Sequence, residues 1–295
     1  MSKKIVITGG LGYIGTELCK IYSGESWRNQ ITVIDNRFAS ERVNQLRNWS
    51  INFVHADIRD SKNVKHFLKD ADIIHHLAGI TDVARTKEES NFEKDKVLND
   101  VAKEGTSVVL SESSENCKII FPSTHVVFEG KSDMEKDIEE DCEKFPVLSY
   151  GISKDKNEEQ IKESKKNYVI LRLASVYGYS TDTMRLNIMP NLFSKISSQN
   201  GTIKLFAGGK QLKCLVPLVD AARCFKFMEE RDDIKFQTFN LSKDKVTVEQ
   251  VANICKKVNP KVKIVKTEDK IPNSGYALSN KKLLSKGFKF LYGLE

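Results

Sequence analysis

The chain predicts an α/β fold, a doubly wound parallel sheet followed by a smaller C-terminal lobe, on three observations. Short β-branched runs recur at intervals that leave room for a helix between them, a glycine cluster separates the first run from the first helical segment, and the regular alternation stops after residue 178. Strands alternating with helices at this spacing need right-handed crossovers, which cover both faces of a parallel sheet.

The first run, Lys3 to Thr8, enters a glycine turn, and Glu17 to Tyr22 continues with helical character. Ile31 to Ile34 reads as the second strand, closed by Asp35, with Ile51 to His55 the third, Ala71 to Leu77 the fourth and Lys118 to Phe121 the fifth. Polar, helix-prone segments separate them. Tyr168 to Leu173 is a further strand leading into Ala174-Ser175-Val176-Tyr177-Gly178. The expected organisation is a sheet domain over 1–178, with strands near 214–242 returning to it, and a lobe made mostly of 179–295. The acidic tract Met134 to Lys144 reads as a surface loop, and Trp27 and Trp49 as packing residues of early loops. No internal repeat is visible.

With 40% hydrophobic and 29% charged residues among 295, the chain carries enough apolar material for a sizeable core, which excludes overall disorder. No apolar stretch approaches the roughly 18 to 20 residues that span a bilayer, and Ile5-Val6-Ile7 is too short for an export signal, so a cytoplasmic protein without membrane contact is expected. The cysteines, Cys19, Cys117, Cys142, Cys214, Cys224 and Cys255, form no C-x-x-C pair and have no histidine at ligand spacing. That pattern argues for reduced, buried thiols and against a metal or a disulfide framework. Net charge is +7, and lysines crowd Lys256 to Lys289. They alternate with apolar residues and lack an aromatic-basic platform, so they read as solvated faces and not as a nucleic-acid site. His75, His76 and His125 have no carboxylate or cysteine at fixed spacing and read as packed or hydrogen-bonded side chains.

The chemistry starts at Thr8-Gly9-Gly10-Leu11-Gly12-Tyr13-Ile14-Gly15. Between a strand and a helix, Gly9 can take the tight turn, Gly12 lets backbone approach a pyrophosphate, and Gly15 permits close helix-strand packing, which makes the sheet Rossmann-type. About twenty residues on, Asp35 ends the second strand, where a carboxylate accepts from the adenosine ribose hydroxyls and repels a 2′-phosphate, favouring NAD over NADP. Arg37 supplies a countercharge two residues later. Asp57-Ile58 follows the third strand, where the carboxylate can meet the adenine amino group while Ile58 packs on the ring; a helix N-cap is an equal reading of Asp57.

A second constellation is Tyr150-Gly151-Ile152-Ser153-Lys154, which puts Tyr and Lys on one face of a helix. To act as a base near neutral pH a tyrosine must fall about three pKa units from roughly 10, about 4 kcal/mol of differential stabilisation, and a neighbouring ammonium supplies that field. The strand ending Phe121-Pro122-Ser123-Thr124 offers hydroxyls, at Ser123 and Thr124, to share a substrate proton.

In order along almost the whole chain, the glycine motif at 8–15, Asp35, Asp57, His76-Leu77-Ala78-Gly79, Ser123-Thr124, Tyr150 to Lys154 and Arg172 to Gly178 resemble the extended short-chain dehydrogenases/reductases, the NAD-dependent nucleotide-sugar epimerases and dehydratases. The resemblance implies NAD held by the glycine motif with Tyr13 and Ile14, by Asp35 and Asn36, by Asp57 and Ile58, and by Leu77, Ala78 and Gly79. Tyr150 would then be the base and acid on a sugar hydroxyl, Lys154 would hold the nicotinamide ribose and lower the tyrosine pKa, and Thr124 would bond the same hydroxyl. Asn187 resembles the asparagine on the substrate diphosphate. Lys213 stands where the family has an arginine, keeping the charge without the bidentate fork. Tyr276 resembles the residue that limits the sugar pocket in UDP-galactose 4-epimerases. A homodimer through the helix near Asn91 to Leu110 and the Tyr150 helix is also implied.

Departures narrow the reaction. Family 4,6-dehydratases carry Asp-Glu straight after the threonine, and decarboxylating relatives a glutamate at the second position; here these are His125-Val126, and a valine transfers no proton. Ser175, Phe128 and Ser279 replace a usual asparagine, tyrosine and aspartate, which bears on the sugar. The expectation is epimerisation of a UDP- or dTDP-hexose, at carbon 4, by reversible hydride transfer through a keto intermediate. The alternatives are a nucleotide-sugar reductase or dehydrogenase, and a catalytically silent binding protein.

Overall fold

Branched apolar residues that alternate with amphipathic polar segments can all be covered only if each strand is followed by a helix laid back across the sheet. The computed structural model, which describes residues 2–25, 29–81, 88–131, 134–181, 183–269 and 274–294, shows that arrangement. Strand β1 (Lys4–Thr8) leads into α1 (Tyr13–Tyr22), then β2 (Gln30–Asp35), α2 (Ser40–Asn48), β3 (Asn52–His55), α3 (Ser61–Lys69), β4 (Ile73–His76), α4 (Phe92–Glu112) and β5 (Lys118–Thr124). After these come β6 (Glu135–Ile138), α5 (Ser149–Glu163), β7 (Tyr168–Leu173) and β8 (Ser175–Tyr177). The remainder is α6 (Met189–Ser198), β9 (Thr202–Leu205), β10 (Leu212–Pro217), α7 (Leu218–Glu230), β11 (Gln237–Leu241), β12 (Asp244–Thr247), α8 (Val248–Val258), β13 (Lys263–Lys266), β14 (Tyr276–Leu278) and α9 (Lys281–Ser285).

The large sheet has the order β11-β7-β5-β4-β1-β2-β3. Its strand β1 pairs in parallel with both β2 and β4, so Thr8 stands opposite Ile34 on one side and His76 on the other. The chain leaves β1 in both directions from this point, the switch at which open α/β sheets bind ligands. Val6, Ile34, Ile74, Ile119, Phe121 and Ile170 form the core on one face, against Val64, Leu68, Val109 and Ile161 of the helices.

By its contacts the chain divides into two units. One comprises 1–127, 146–172 and 222–238, the other 128–145, 173–221 and 239–295. A single cut at 178 therefore does not describe it. Of the strands near 214–242, only β11 joins the large sheet; β10 has one edge filled by β12 and the other by β8, leaving none for it. The acidic tract is also more than a loop. It contains β6, which pairs in parallel with β14, burying Ile138 while its charged neighbours face water. The second unit has its own core, where Phe193, Ile203, Leu205, Leu215, Val251 and Val262 pack. Trp27 lies outside the described residues, and Trp49 closes α2, half-buried. The six cysteines are free thiols, four of them buried. Among the described residues no helix is long and apolar enough to cross a membrane.

Both histidines of β4 are tied by hydrogen bonds, on opposite faces. His76 meets Thr8 Oγ1 at 2.9 Å through Nδ1 and Thr106 Oγ1 at 3.1 Å through Nε2. His75 Nε2 stands 2.8 Å from the Tyr22 hydroxyl and 3.2 Å from Glu229, which also accepts from Tyr22 and pairs with Lys226 at 3.0 Å. Burial drives both imidazoles down to about 3, so they are neutral in this core. Because Tyr22 bridges two buried polar groups, Tyr22→Phe should lower unfolding stability by about 1–3 kcal/mol, read by urea denaturation, the cost of leaving a buried acceptor unpaired.

Candidate active site

The glycine loop is shaped by what a side chain would strike. Gly9 has φ +69°, and a Cβ there would lie 2.8 Å from the Ala78 backbone; at Gly15 one would lie 2.6 Å from Gly10 Cα and from the Gly9 carbonyl. Helix α1 begins at Gly12 with no capping side chain and no acid in its first turn. Its leading N–H groups, with the positive end of the helix dipole, thus present an anion-binding surface lacking a side-chain occupant, which fits a pyrophosphate. Tyr13 is buried and Ile14 half-buried on that first turn.

Asp35 is buried at the end of β2. Its carboxylate accepts from the backbone N–H of Leu11 at 3.0 Å and of Arg37 at 3.0 Å, tying the strand end to the glycine loop. Asn36 beside it is exposed, and the Arg37 guanidinium is 3.5 Å from the same carboxylate and reaches over Gly12. Asp57 is engaged bidentately by Arg59, at 3.0 and 2.9 Å, which holds its carboxyl below the usual range. It does not cap the following helix, because Asp60 accepts from Asn63 N–H there. Ile58 packs in the core against Gly105 of α4. The ends of β1 and β4 are laced together: Ala78 N–H donates to Thr8 Oγ1 at 3.1 Å and Leu77 N–H to the Thr8 carbonyl at 3.1 Å, leaving Gly79 exposed.

Tyr150 and Lys154 lie one turn apart on α5. The Lys154 ammonium is buried, donates to the Pro122 carbonyl at 2.8 Å, sits 4.4 Å over the Phe121 ring and is 6.0 Å from the Tyr150 ring centre. Burial pulls it from 10.5 to about 8, against the opposing pull of Glu158. Thr124 is buried at the end of β5, its Oγ1 accepting from Val126 N–H at 3.3 Å. The reading of Ser123 as a second catalytic hydroxyl is corrected. Successive strand residues face opposite sides, and Ser123 Oγ donates inward to Glu158 Oε1 at 2.5 Å. Glu158 itself was missed, although its place four residues after Lys154 puts it on the same helix face.

The residues read as touching substrate through the lobe, Ser175, Asn187, Lys213 and Tyr276, all belong to the second unit. Ser175 opens β8 opposite Leu215, and Asn187 is exposed just before α6. Lys213 is on β10 opposite Val246; burial lowers its ammonium pKa, and among the described residues no carboxylate acts on it. Tyr276, buried on β14, has its phenol held well above the usual value by burial. Among the described residues no group of three or more His, Cys, Asp or Glu could hold a metal ion.

Residues 5–242 match the model of the NAD dependent epimerase/dehydratase family. A probable low-salt glycan biosynthesis reductase of Haloferax volcanii is 32% identical over 51% of this chain, which spans about half of that relative's length, 49%. The UDP-glucose 4-epimerase of Mycoplasma genitalium is 25% identical over 86% of this chain and 81% of its own. Among solved structures, the UDP-glucuronic acid 4-epimerase of Bacillus cereus in complex with UDP-glucuronic acid and NAD superimposes with a TM-score of 0.82 at 20% identity, over 98% of this chain and 95% of that one, a likeness of fold.

With the Asp35 carboxylate at the end of β2, calorimetry should give a tighter dissociation constant for NAD than for NADP. The reverse order would mean that the Arg37 guanidinium outweighs it.

Proposed function

This chain belongs to the NAD dependent epimerase/dehydratase family, and we propose that it epimerises a nucleotide-linked hexose, a UDP or dTDP sugar, at carbon 4 through a keto intermediate. The observation that carries this reading is the grouping at the ends of β5 and α5: a hydroxyl at Thr124, a phenol at Tyr150 and a buried ammonium at Lys154, followed by a valine at 126 where elimination would need an acid or base. Bound NAD would supply the hydride acceptor and donor for the sugar carbon.

The chain's own part is proton management. Lys154 is held by the Pro122 carbonyl, and its positive charge beside Tyr150 favours the phenolate over the phenol. Tyr150 then removes the proton of the sugar hydroxyl as that carbon is oxidised and restores it on return, while Thr124 orients the same hydroxyl. Lys213, a half-buried cation on which no carboxylate acts among the described residues, supports an anionic substrate group, the diphosphate, and Asn187 adds a neutral donor. Tyr276 and Ser175 bear on the sugar. Helices α4 and α5 are the faces on which a second copy would pack.

One relative favours a second reading. The Haloferax protein is a probable reductase, and the same three residues would serve a single hydride transfer with release of product. Incubation with UDP- and dTDP-hexoses, followed by mass spectrometry and absorbance at the NADH band, separates the cases. Epimerisation gives a product of unchanged mass with no lasting NADH signal. Stoichiometric NADH consumption promotes the reductase, loss of one water a dehydratase, and NAD binding without turnover a silent binder.

Tyr150→Phe should cut turnover more than tenfold, a loss above roughly 1.4 kcal/mol, while leaving the NAD dissociation constant nearly unchanged. The pH dependence has a definite sign. Lys154 is charged below about 8 and neutral above it, so kcat/KM should fall as pH rises through that region, when the charge supporting the phenolate is lost. A rate that stays flat to pH 9.5 would show that this charge is not needed.

A further inference from the structure

Glu158 gathers groups from three elements around a carboxylate with no exposure to water. Arg172 on β7 donates bidentately, from Nε to Oε1 at 2.9 Å and from Nη2 to Oε2 at 2.8 Å. Ser123 donates to Oε1 at 2.5 Å, and Lys162, one turn along α5, stands 3.7 Å from Oε2. A buried ion pair is no more stabilising than apolar side chains of the same shape, so stability alone does not account for it. What it joins is informative. Ser123 immediately precedes Thr124, and Glu158 follows Lys154 by one turn, while Lys154 itself donates to the carbonyl of Pro122. Two separate bonds therefore stitch α5 to the adjacent residues Pro122 and Ser123 of β5.

We propose that Ser123, Glu158 and Arg172 are positioning residues: they lock α5 in register against β5, which sets Tyr150 and Lys154 relative to Thr124, and Glu158 supplies a negative charge beside the Lys154 ammonium. The proposal rests on the epimerase reading for the roles of those three residues. It turns Ser123 from a substrate-touching hydroxyl into one that acts through Glu158.

Lys154 faces Tyr150 and Glu158 on its own helix, the Phe121 ring on β5 and the neutral His76 on β4. Glu158 faces Arg172, Lys162 and Ser123, and after burial it is the second cause that pushes up the phenol of Tyr168 at the start of β7. Of these groups Glu158 is the acid that opposes the effect of burial on Lys154.

The test uses the full chain. Lysine NMR of the protein without substrate should show Lys154 titrating near 8 in the wild type and at lower pH in Glu158→Gln, where the opposing charge is gone. Ser123→Ala keeps every charge, so Lys154 should still titrate near 8 in it. Its kcat should nevertheless drop roughly five- to tenfold with NAD affinity within about twofold, and this loss should vanish in the Glu158→Gln background. Thr124→Ala, which removes the substrate's own partner, should lose far more. Ser123→Ala losses equal to those of Thr124→Ala and fully additive with Glu158→Gln would place Ser123 on the substrate and overturn the lock. An unmoved Lys154 titration in Glu158→Gln would overturn the electrostatic role. Should Glu158→Gln fail to fold, wild-type kcat in Ser123→Ala overturns the lock by itself. The titration needs no turnover, so a wild type inactive on every hexose would refute the epimerase reading without deciding the charge coupling.

Discussion

Parallel strands cannot be joined by tight turns, and what stands at the C-terminal edge of the large sheet follows from that constraint. Each crossover must carry the chain back across a face, so each strand delivers its end to the same edge as the one before. Because β1 is laddered to β2 on one side and β4 on the other, Thr8 is level with Ile34 and with His76. The glycine loop, Asp35 and the Leu77 to Gly79 segment therefore arrive together from separate parts of the chain. Hydrogen bonds from Leu11 N–H to Asp35 and from Ala78 N–H to Thr8 then hold the three ends in place.

The same covering of both faces buries the interior, and several polar groups placed there are tied to one another. His76 joins Thr8 to Thr106, His75 joins β4 to Tyr22 and Glu229, and Arg172 meets Glu158. Most of these bonds join strands to the helices packed on them, and His76 also ties β4 to β1. Apolar packing tolerates small sliding of a helix over a sheet, whereas a bidentate ion pair with a third donor has one geometry. Thr124, Tyr150 and Lys154, the proposed catalytic grouping, lie beside the Arg172–Glu158 tie.

Burial also tunes the charges that chemistry would use. Lys154 loses much of its hydration and titrates near 8, close enough to neutrality for its charge to depend on working pH. Lys213, in the other unit, is pulled down by the same cause.

Most of the sheet was legible because β-branched runs and the helical spacing between them are local signals, and β7 lies where its pattern placed it. The glycine motif, Asp35 and the Tyr150 to Lys154 pair were legible for the same reason: each is a short stretch whose residue types leave few conformations. The strand inside the acidic tract was not, since β6 exists only through its ladder with β14, some 140 residues away by the paired numbers. Likewise β10 carries a strand pattern, but which sheet it joins depended on edges filled by β8 and β12. Ser123 and Thr124 offer the same hydroxyl in one dimension; the pleat of β5 and the position of Glu158 decided which one turns inward. Sequence by itself determined most of the elements and the turn chemistry, because these are set by neighbours in the chain. Tertiary structure alone decided which side chains meet, which are already spent on one another, and at what pH Lys154 holds its charge, because burial and distant partners set all three.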